Sequence, residues 1–390
     1  VTILSDFIEP FTINIPQADL DDLRTRLLRA RLPEAIPGVG WDYGVDMDYL
    51  RSLLDYWRTD YDWRAAEARL NEFDHFRTRI QGHLIHFVHI RSQHANATPL
   101  LMVHGWPGSI VEFLGVIDRL VAPERHGGDA ADAFHLVLPS LPGYGFSEPP
   151  RERGWGPARA AEVFAELMSR LGYDRYGVQG GDWGAIVAAE MGLADRGRLI
   201  GLHTNMPMAP TPDVAIALTA QEEIDVADMA AFARDERAYA ALQGSKPQTL
   251  GVGLNDSPAG LCAWIIEKFR SWSDCDGRPE TAIDRDALLT NISLYWLTGT
   301  ATSSARLYHE FFHATRTWDK GKVETPTGVA RFPKEMHRPP RAWVERSYNL
   351  VRWTEMPRGG HFAAFEQPAP FANDVRAFFR QLQGGNALQP

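Results

Sequence analysis

The chain contains only two cysteines, Cys262 and Cys275, in 390 residues. Two thiols so placed make neither a disulfide framework nor a zinc ribbon; they read as small buried hydrophobes of a reduced compartment. Positive charge is also scarce, with 40 Lys and Arg against 50 Asp and Glu and a formal net charge of -10. Without clustered basic residues there is no footprint for nucleic acid. No apolar stretch approaches the roughly 20 residues that cross a bilayer, so no membrane insertion is expected. Val1 to Phe7 lack the basic region and apolar run of a signal peptide. The first residue is Val rather than Met, which leaves upstream residues open. Internal repeats and low-complexity tracts are absent too. These absences lead to the expectation of a soluble, cytoplasmic globular protein, with association into a homo-oligomer left open.

What the chain does have is 44% hydrophobic residues, enough at this length for a large core and a second lobe. Up to about Phe73 it reads as helical and irregular: Leu20, Leu23, Leu27 and Leu28 form one apolar stripe, and Leu50, Leu53, Leu54 and Trp57 a second. A hairpin follows, with strands at Thr78 to Ile80 and Leu84 to Ile90. His83, His86 and His89 fall on alternating faces of that strand and make poor joint metal ligands. From Leu100 strands and helices alternate. Leu100 to Val103 and Phe134 to Leu138 are bare apolar strands, and Ile110 to Leu120 and Ala158 to Leu171 read as helices. Such alternation predicts right-handed crossovers and a mostly parallel sheet flanked by helices. Between Met208 and Lys322 only helical patterns occur, which predicts an inserted cap. Strand character returns at Thr327 to Phe332 and Leu350 to Trp353, and a last helix is expected over about Pro370 to Leu382, before a frayed tail. The expected division is residues 1–73 as an N-terminal helical lobe, 74–207 and 323–390 as an α/β core, and 208–322 as a helical cap.

The chemistry centres on Val178-Gln179-Gly180-Gly181-Asp182-Trp183-Gly184-Ala185. A strand runs into a helix through glycines that allow a strained turn, the geometry of a nucleophile elbow with Asp in the usual serine position. An aspartate is ionised at neutral pH and attacks without a base, so it can open a saturated carbon and form an alkyl ester. Hydrolysing that ester needs a base, an orienting acid and an oxyanion hole. His361, in Arg358-Gly359-Gly360-His361-Phe362, follows the last strand on a glycine-freed loop and suits the base. Glu335, just beyond the strand ending at Phe332, suits the acid in the elbow order nucleophile, acid, histidine; Asp319, Glu324 and Glu345 are weaker candidates. The oxyanion hole would take the backbone N–H of Trp183 and that of Trp106, because Pro107 has none to give.

Taken together, His104-Gly105-Trp106-Pro107-Gly108-Ser109, Pro142-Gly143-Tyr144-Gly145-Phe146-Ser147, Gly180-Gly181-Asp182-Trp183-Gly184 and Gly359-Gly360-His361-Phe362 resemble the α/β-hydrolase-fold epoxide hydrolases. The branch related to the microsomal enzyme, which also has an N-terminal helical lobe, is the nearest match. The resemblance spans nearly the whole chain and implies a nucleophile at Asp182, a base at His361 and an acid at Glu335. It further implies two cap tyrosines that hydrogen-bond the epoxide oxygen. Tyr308, in Ser303-Ser304-Ala305-Arg306-Leu307-Tyr308, is one; Tyr239, in Ala238-Tyr239-Ala240, is the other and a looser match. The implied reaction turns a small-molecule epoxide and water into a vicinal diol, with no metal and no organic cofactor. The microsomal member's membrane anchor is not carried over.

Three other readings are available. His309-Glu310-Phe311-Phe312-His313 fits H-E-x-x-H, with Glu335 as a third zinc ligand of a peptidase. A haloalkane dehalogenase shares the Asp elbow, but its halide leaves as an anion and calls for N–H donors, not proton-donating phenols. A non-catalytic binding protein on the same fold is the third.

Overall fold

The structure, a computed structural model, describes residues 7–194, 197–314 and 321–385. Its strands are β1 (Glu9–Phe11), β2 (His75–Ile80), β3 (His83–Ile90), β4 (Thr98–Val103), β5 (Phe134–Pro139), β6 (Tyr176–Gly180), β7 (Leu199–Thr204), β8 (Val323–Arg331) and β9 (Tyr348–Glu355). They form one nine-stranded sheet in the order β1-β2-β3-β5-β4-β6-β7-β8-β9. The pairings from β1 to β5 are antiparallel; those from β5 through β4 to β9 are parallel. Leu100, Leu101, Met102 and Val103 are wholly buried, because a central parallel strand is covered on both faces and has no solvent side to make polar. This is an α/β-hydrolase fold.

The sheet is flanked by α4 (Ile117–Val121), α5 (Pro157–Arg170), α6 (Trp183–Ala194), α13 (Arg341–Ser347), α14 (Ala363–Glu366) and α15 (Pro368–Gly385). Most of α6 is buried, which is why its sequence is apolar all round instead of on one stripe. Its first turn presses on β4: a Cβ on Gly184 would lie 1.9 Å from the Val103 carbonyl oxygen. Between β7 and β8 the chain leaves the sheet and builds the cap from α7 (Ala220–Asp235), α8 (Ala238–Ser245), α9 (Pro247–Asp256), α10 (Pro258–Trp272), α11 (Arg285–Leu297) and α12 (Ala301–Phe312). Start signals are local: Thr219 and Glu222 form a capping box on α7, and Asp284 accepts two N–H groups at α11.

The N-terminal helices α1 (Gln17–Leu28), α2 (Met47–Thr59) and α3 (Trp63–Leu70) bury the two predicted leucine stripes, Leu28 excepted. They also brace the cap, where Trp57 Nε1 donates to Ser293 Oγ at 2.9 Å and the Tyr61 and Thr290 hydroxyls meet at 3.0 Å. Two details differ from the sequence reading. The stretch before Phe73 is not all helix and loop, since β1 joins the sheet; three residues including Pro10 are too few to show a period. Ile110 to Leu120 is not one helix, but a 3-10 turn over Ile110–Phe113 and then α4. Gly115, between the two, is a poor helix residue.

A chain of neutral histidines locks the β2–β3 hairpin. His75 Nε2 lies 2.8 Å from the Leu70 carbonyl, so it carries the proton and His75 Nδ1 accepts from His86 Nε2 at 2.9 Å. His86 Nδ1 then accepts from Ser140 Oγ at 2.9 Å. Burial holds both imidazoles below their usual pKa, and His75 adds to the effect on His86. A depressed histidine favours the fold above its unfolded pKa of about 6.5, and that contribution is lost as pH falls below it. Thermal melts should therefore show a lower midpoint at pH 5 than at pH 7.5, with up to about 2 kcal/mol lost per buried imidazole. His86→Gln should narrow that gap; an equal gap in the variant would contradict this role for the pair.

Candidate active site

Asp182 sits where β6 turns into α6, with φ of 50°. That left-handed conformation costs a non-glycine residue roughly 1–2 kcal/mol, and Asp is among the residues that tolerate it best. The turn closes against the loop after β4 because Gly105 has no side chain: a Cβ there would lie 2.3 Å from the Asp182 Cβ. The carboxylate thus stands at the carboxyl end of β6, the edge where α/β sheets present ligands. Trp106 donates its backbone N–H to Asp182 Oδ1 at 2.8 Å. Trp183 opens α6, and its N–H belongs to the first turn, whose amides have no partner within the helix.

His361 lies on the loop after β9 and reaches both acids. Its Nδ1 is 2.9 Å from Glu335 Oε2 and 3.0 Å from Oε1; its Nε2 is 3.5 Å from Asp182 Oδ2. A carboxylate only accepts, so Nδ1 keeps its proton and Nε2 is the atom that gains or loses one. Burial opposes charge on the imidazole, but Glu335's charge and the hydrogen bonds to Asp182 and Glu335 outweigh it, and the pKa stands well above the usual 6.5. Glu335 is 1% exposed. Glu324 and Glu345 are exposed, Glu345 paired with Arg341, and Asp319 lies outside the described residues.

Two cap helices bring Tyr239 (α8) and Tyr308 (α12) onto Trp106, the first stacked at 5.1 Å and the second edge-on at 5.9 Å. Burial raises both phenol pKa values, and the Asp182 charge adds to it. Both phenols therefore stay protonated and act as donors. Among the described residues the Tyr308 hydroxyl has no hydrogen bond of ordinary geometry, although Tyr239 is near enough to influence its acidity.

Several residues that sequence reasoning passed over also converge here. Glu112 folds beneath Gly108, where a Cβ would meet its Oε1 at 1.4 Å. Burial, with the Asp182 charge adding and His361 opposing, pushes Glu112 up to about 8. Glu366 accepts the N–H groups of Asp274, Gly360 and Phe362 at 2.8, 2.9 and 3.0 Å, and His361 N–H donates to the Trp272 carbonyl at 2.9 Å. The loop after α10 is thus tied to the loop of His361, and the Trp272 ring lies 5.2 Å from the imidazole. On the other side, Arg338 joins Asp225 of α7 to the Glu335 carbonyl. The sequence signals were faint: an acid one turn past the Trp106 loop, and an acid five residues past His361.

Known proteins are similar to this chain in sequence and in fold. Residues 8–113 match the family described as Epoxide hydrolase N terminus, and residues 98–266 the family described as alpha/beta hydrolase fold. A Stigmatella aurantiaca (strain DW4/3-1) protein, named as a candidate epoxide hydrolase, is 50% identical over 382 residues, 96% of this chain and 86% of its own. The chain belongs to the epoxide hydrolases. Epoxide hydrolase 1 of Sus scrofa is 38% identical over 405 residues, 96% of this chain and 89% of its own. The crystal structure of juvenile hormone epoxide hydrolase from the silkworm Bombyx mori matches with a TM-score of 0.91 at 34% identity, covering 98% of this chain and 96% of that one.

As an epoxide hydrolase the protein acts on small-molecule epoxides and water, and the rival readings lose their footing. Glu335, the third ligand of the zinc reading, is engaged by His361 instead. Among the described residues, no helix of this epoxide hydrolase is long and apolar enough to cross a membrane.

Proposed function

We propose that Asp182 is the nucleophile that opens the epoxide, and that His361 and Glu335 hydrolyse the ester it forms. The observation that carries this reading is the Asp182 carboxylate between the Trp106 N–H at 2.8 Å and His361 Nε2 at 3.5 Å. One Asp182 oxygen attacks the less hindered or more electrophilic ring carbon, and the C–O bond on that side breaks. The charge arriving on the epoxide oxygen is met by Tyr239 and Tyr308, which donate hydrogen bonds and then a proton. Esterification removes the Asp182 charge, one of the influences that raise the His361 pKa. The imidazole is thereby moved toward its neutral, basic form when the ester needs water. His361 takes a proton from that water, Glu335 steadies the imidazolium, and the Trp106 and Trp183 N–H groups hold the oxyanion.

The proposal extends to the division at residues 73, 207 and 322, and to a cytoplasmic location, which cell fractionation tests. Turnover is tested with styrene oxide and 1-bromobutane side by side. Diol from the first with no halide from the second is expected; halide release without diol would favour a dehalogenase. Tyr308→Phe and Tyr239→Phe should each slow ester formation on the order of 10²-fold and leave ester hydrolysis near the wild-type rate, as stopped-flow fluorescence would read. Slowed hydrolysis with unchanged formation would contradict the role given to the phenols.

A further inference from the structure

Beside Asp182 lies a small chamber, lined by Glu112, Gln179, Asp182, Asn205 and His361 among others. Its free volume, counted as positions open to the centre of a water molecule, is about 20 Å³. One such molecule needs roughly 10–15 Å³ by that measure and two to four polar partners. Gln179 is the penultimate residue of β6 and 1% exposed. Its Nε2 donates to Asn205 Oδ1 at 3.3 Å, and Asn205 Nδ2 donates to the His361 carbonyl at 3.4 Å. That pair of bonds fixes which end of the amide is which. Gln179 Oε1 is the end left over, buried and without a partner among the described residues. A buried carbonyl oxygen is almost always paired, so an orphan beside reacting groups calls for an explanation.

We propose that Gln179 Oε1 is the acceptor that holds the hydrolytic water against the Asp182 ester. This rests on the covalent mechanism proposed above. The water donates one O–H to Gln179 Oε1 and the other to the neutral Nε2 of His361, so its lone pair is turned toward Asp182 Cγ. Its oxygen then bonds to Cγ while the second proton passes to His361. The tetrahedral intermediate collapses with cleavage of the Cγ–O(alkyl) bond, and the departing alkoxide recovers a proton from His361. Asp182 is left as a carboxylic acid with one oxygen from water; its proton passes to His361 Nε2 and on to the phenolate left by ring opening, which restores both the Asp182 carboxylate and the phenol. An amide suits the position better than an acid, because it accepts without adding a further acidic group beside Asp182 and Glu112. Glu112, pushed up to about 8, carries a proton at neutral pH and offers a donor in the chamber, which leaves the acceptor's part to Gln179.

The test is a single turnover of styrene oxide by wild type and Gln179→Met, following tryptophan fluorescence and acid-quenched samples by mass spectrometry. Methionine keeps the length and removes the amide acceptor. The expected result is ester formation within about twofold of wild type and ester hydrolysis slowed about tenfold or more, with the adduct building up on the Asp182 peptide. Unchanged hydrolysis, or both phases slowed equally as a general disturbance would do, overturns the role of Gln179. A wild type that never shows an adduct strikes instead at the covalent mechanism, and the proposal falls with it. Should the variant fail to fold, a high-resolution crystal structure of the wild type decides. A water within hydrogen-bond distance of both Gln179 Oε1 and His361 Nε2 supports the assignment, and a Gln179 amide turned away from such a water overturns it.

Discussion

Asp182→Ala is expected to lower diol formation from styrene oxide on the order of 10⁵-fold or more, with the fold retained. The loss follows from chemistry that has no substitute. Once the carboxylate is gone, the Trp106 N–H that donates to it and the His361 Nε2 beside it have no nucleophile to serve. Glu112 is turned to the same chamber, but its raised pKa keeps it protonated, and a neutral carboxyl is a poor nucleophile. Alanine at φ of 50° adds strain of roughly 1–2 kcal/mol, so circular dichroism and a thermal melt must accompany the assay. Asp182→Asn, which tolerates that backbone conformation, is the control for strain and should be equally inactive when assayed fresh. An active Asn variant would remove the nucleophile's role from Asp182.

His361→Gln is expected to separate the two halves of the reaction. Ester formation should stay within about tenfold of wild type, while hydrolysis falls on the order of 10³-fold or more. The variant should therefore consume about one equivalent of epoxide per chain and stop, with the alkyl group on Asp182 by mass spectrometry. Glu335→Gln makes the complementary point through pH. Hydrolysis needs neutral His361, so its rate falls on the acid side as the imidazole protonates. Against the opposing effect of burial, Glu335's charge is the largest influence raising that pKa. Removing it should slow hydrolysis and move the acid limb to lower pH; a limb that stays in place would contradict the pairing at 2.9 Å.

Much of this was legible in the sequence because it is written in local terms. Gly180, Gly181 and Gly184 surround one polar residue between an apolar strand and an apolar helix, and that pattern says turn, strain and exposure at once. Gly359 and Gly360 do the same for His361. Glu335 could be chosen by its position past a strand, and the structure brings its carboxylate to the imidazole. The remainder depends on contacts between distant segments, which no window of sequence contains. Glu112 reads as a helix-surface acid until Gly108 is seen lying over it. Gln179 stands inside the elbow segment without any signal of its own, and its orphan oxygen appears only when Asn205 takes the other end of the amide. Glu366 looks like an ordinary acid before α15, and its three N–H partners come from two loops far apart in sequence, Asp274 on one and Gly360 and Phe362 on the other. β1 was missed for a related reason, since a three-residue strand is defined by its partner β2 and not by its own pattern.

The central claim is that the oxygen added to the substrate comes from Asp182. It is tested most directly by a single turnover of styrene oxide in oxygen-18 water, with enzyme in excess, followed by mass spectrometry of the diol and of the Asp182 peptide. The account predicts an unlabelled diol and one heavy oxygen in the Asp182 carboxylate. A labelled diol with Asp182 unlabelled would mean that water attacks the epoxide directly, and would contradict it.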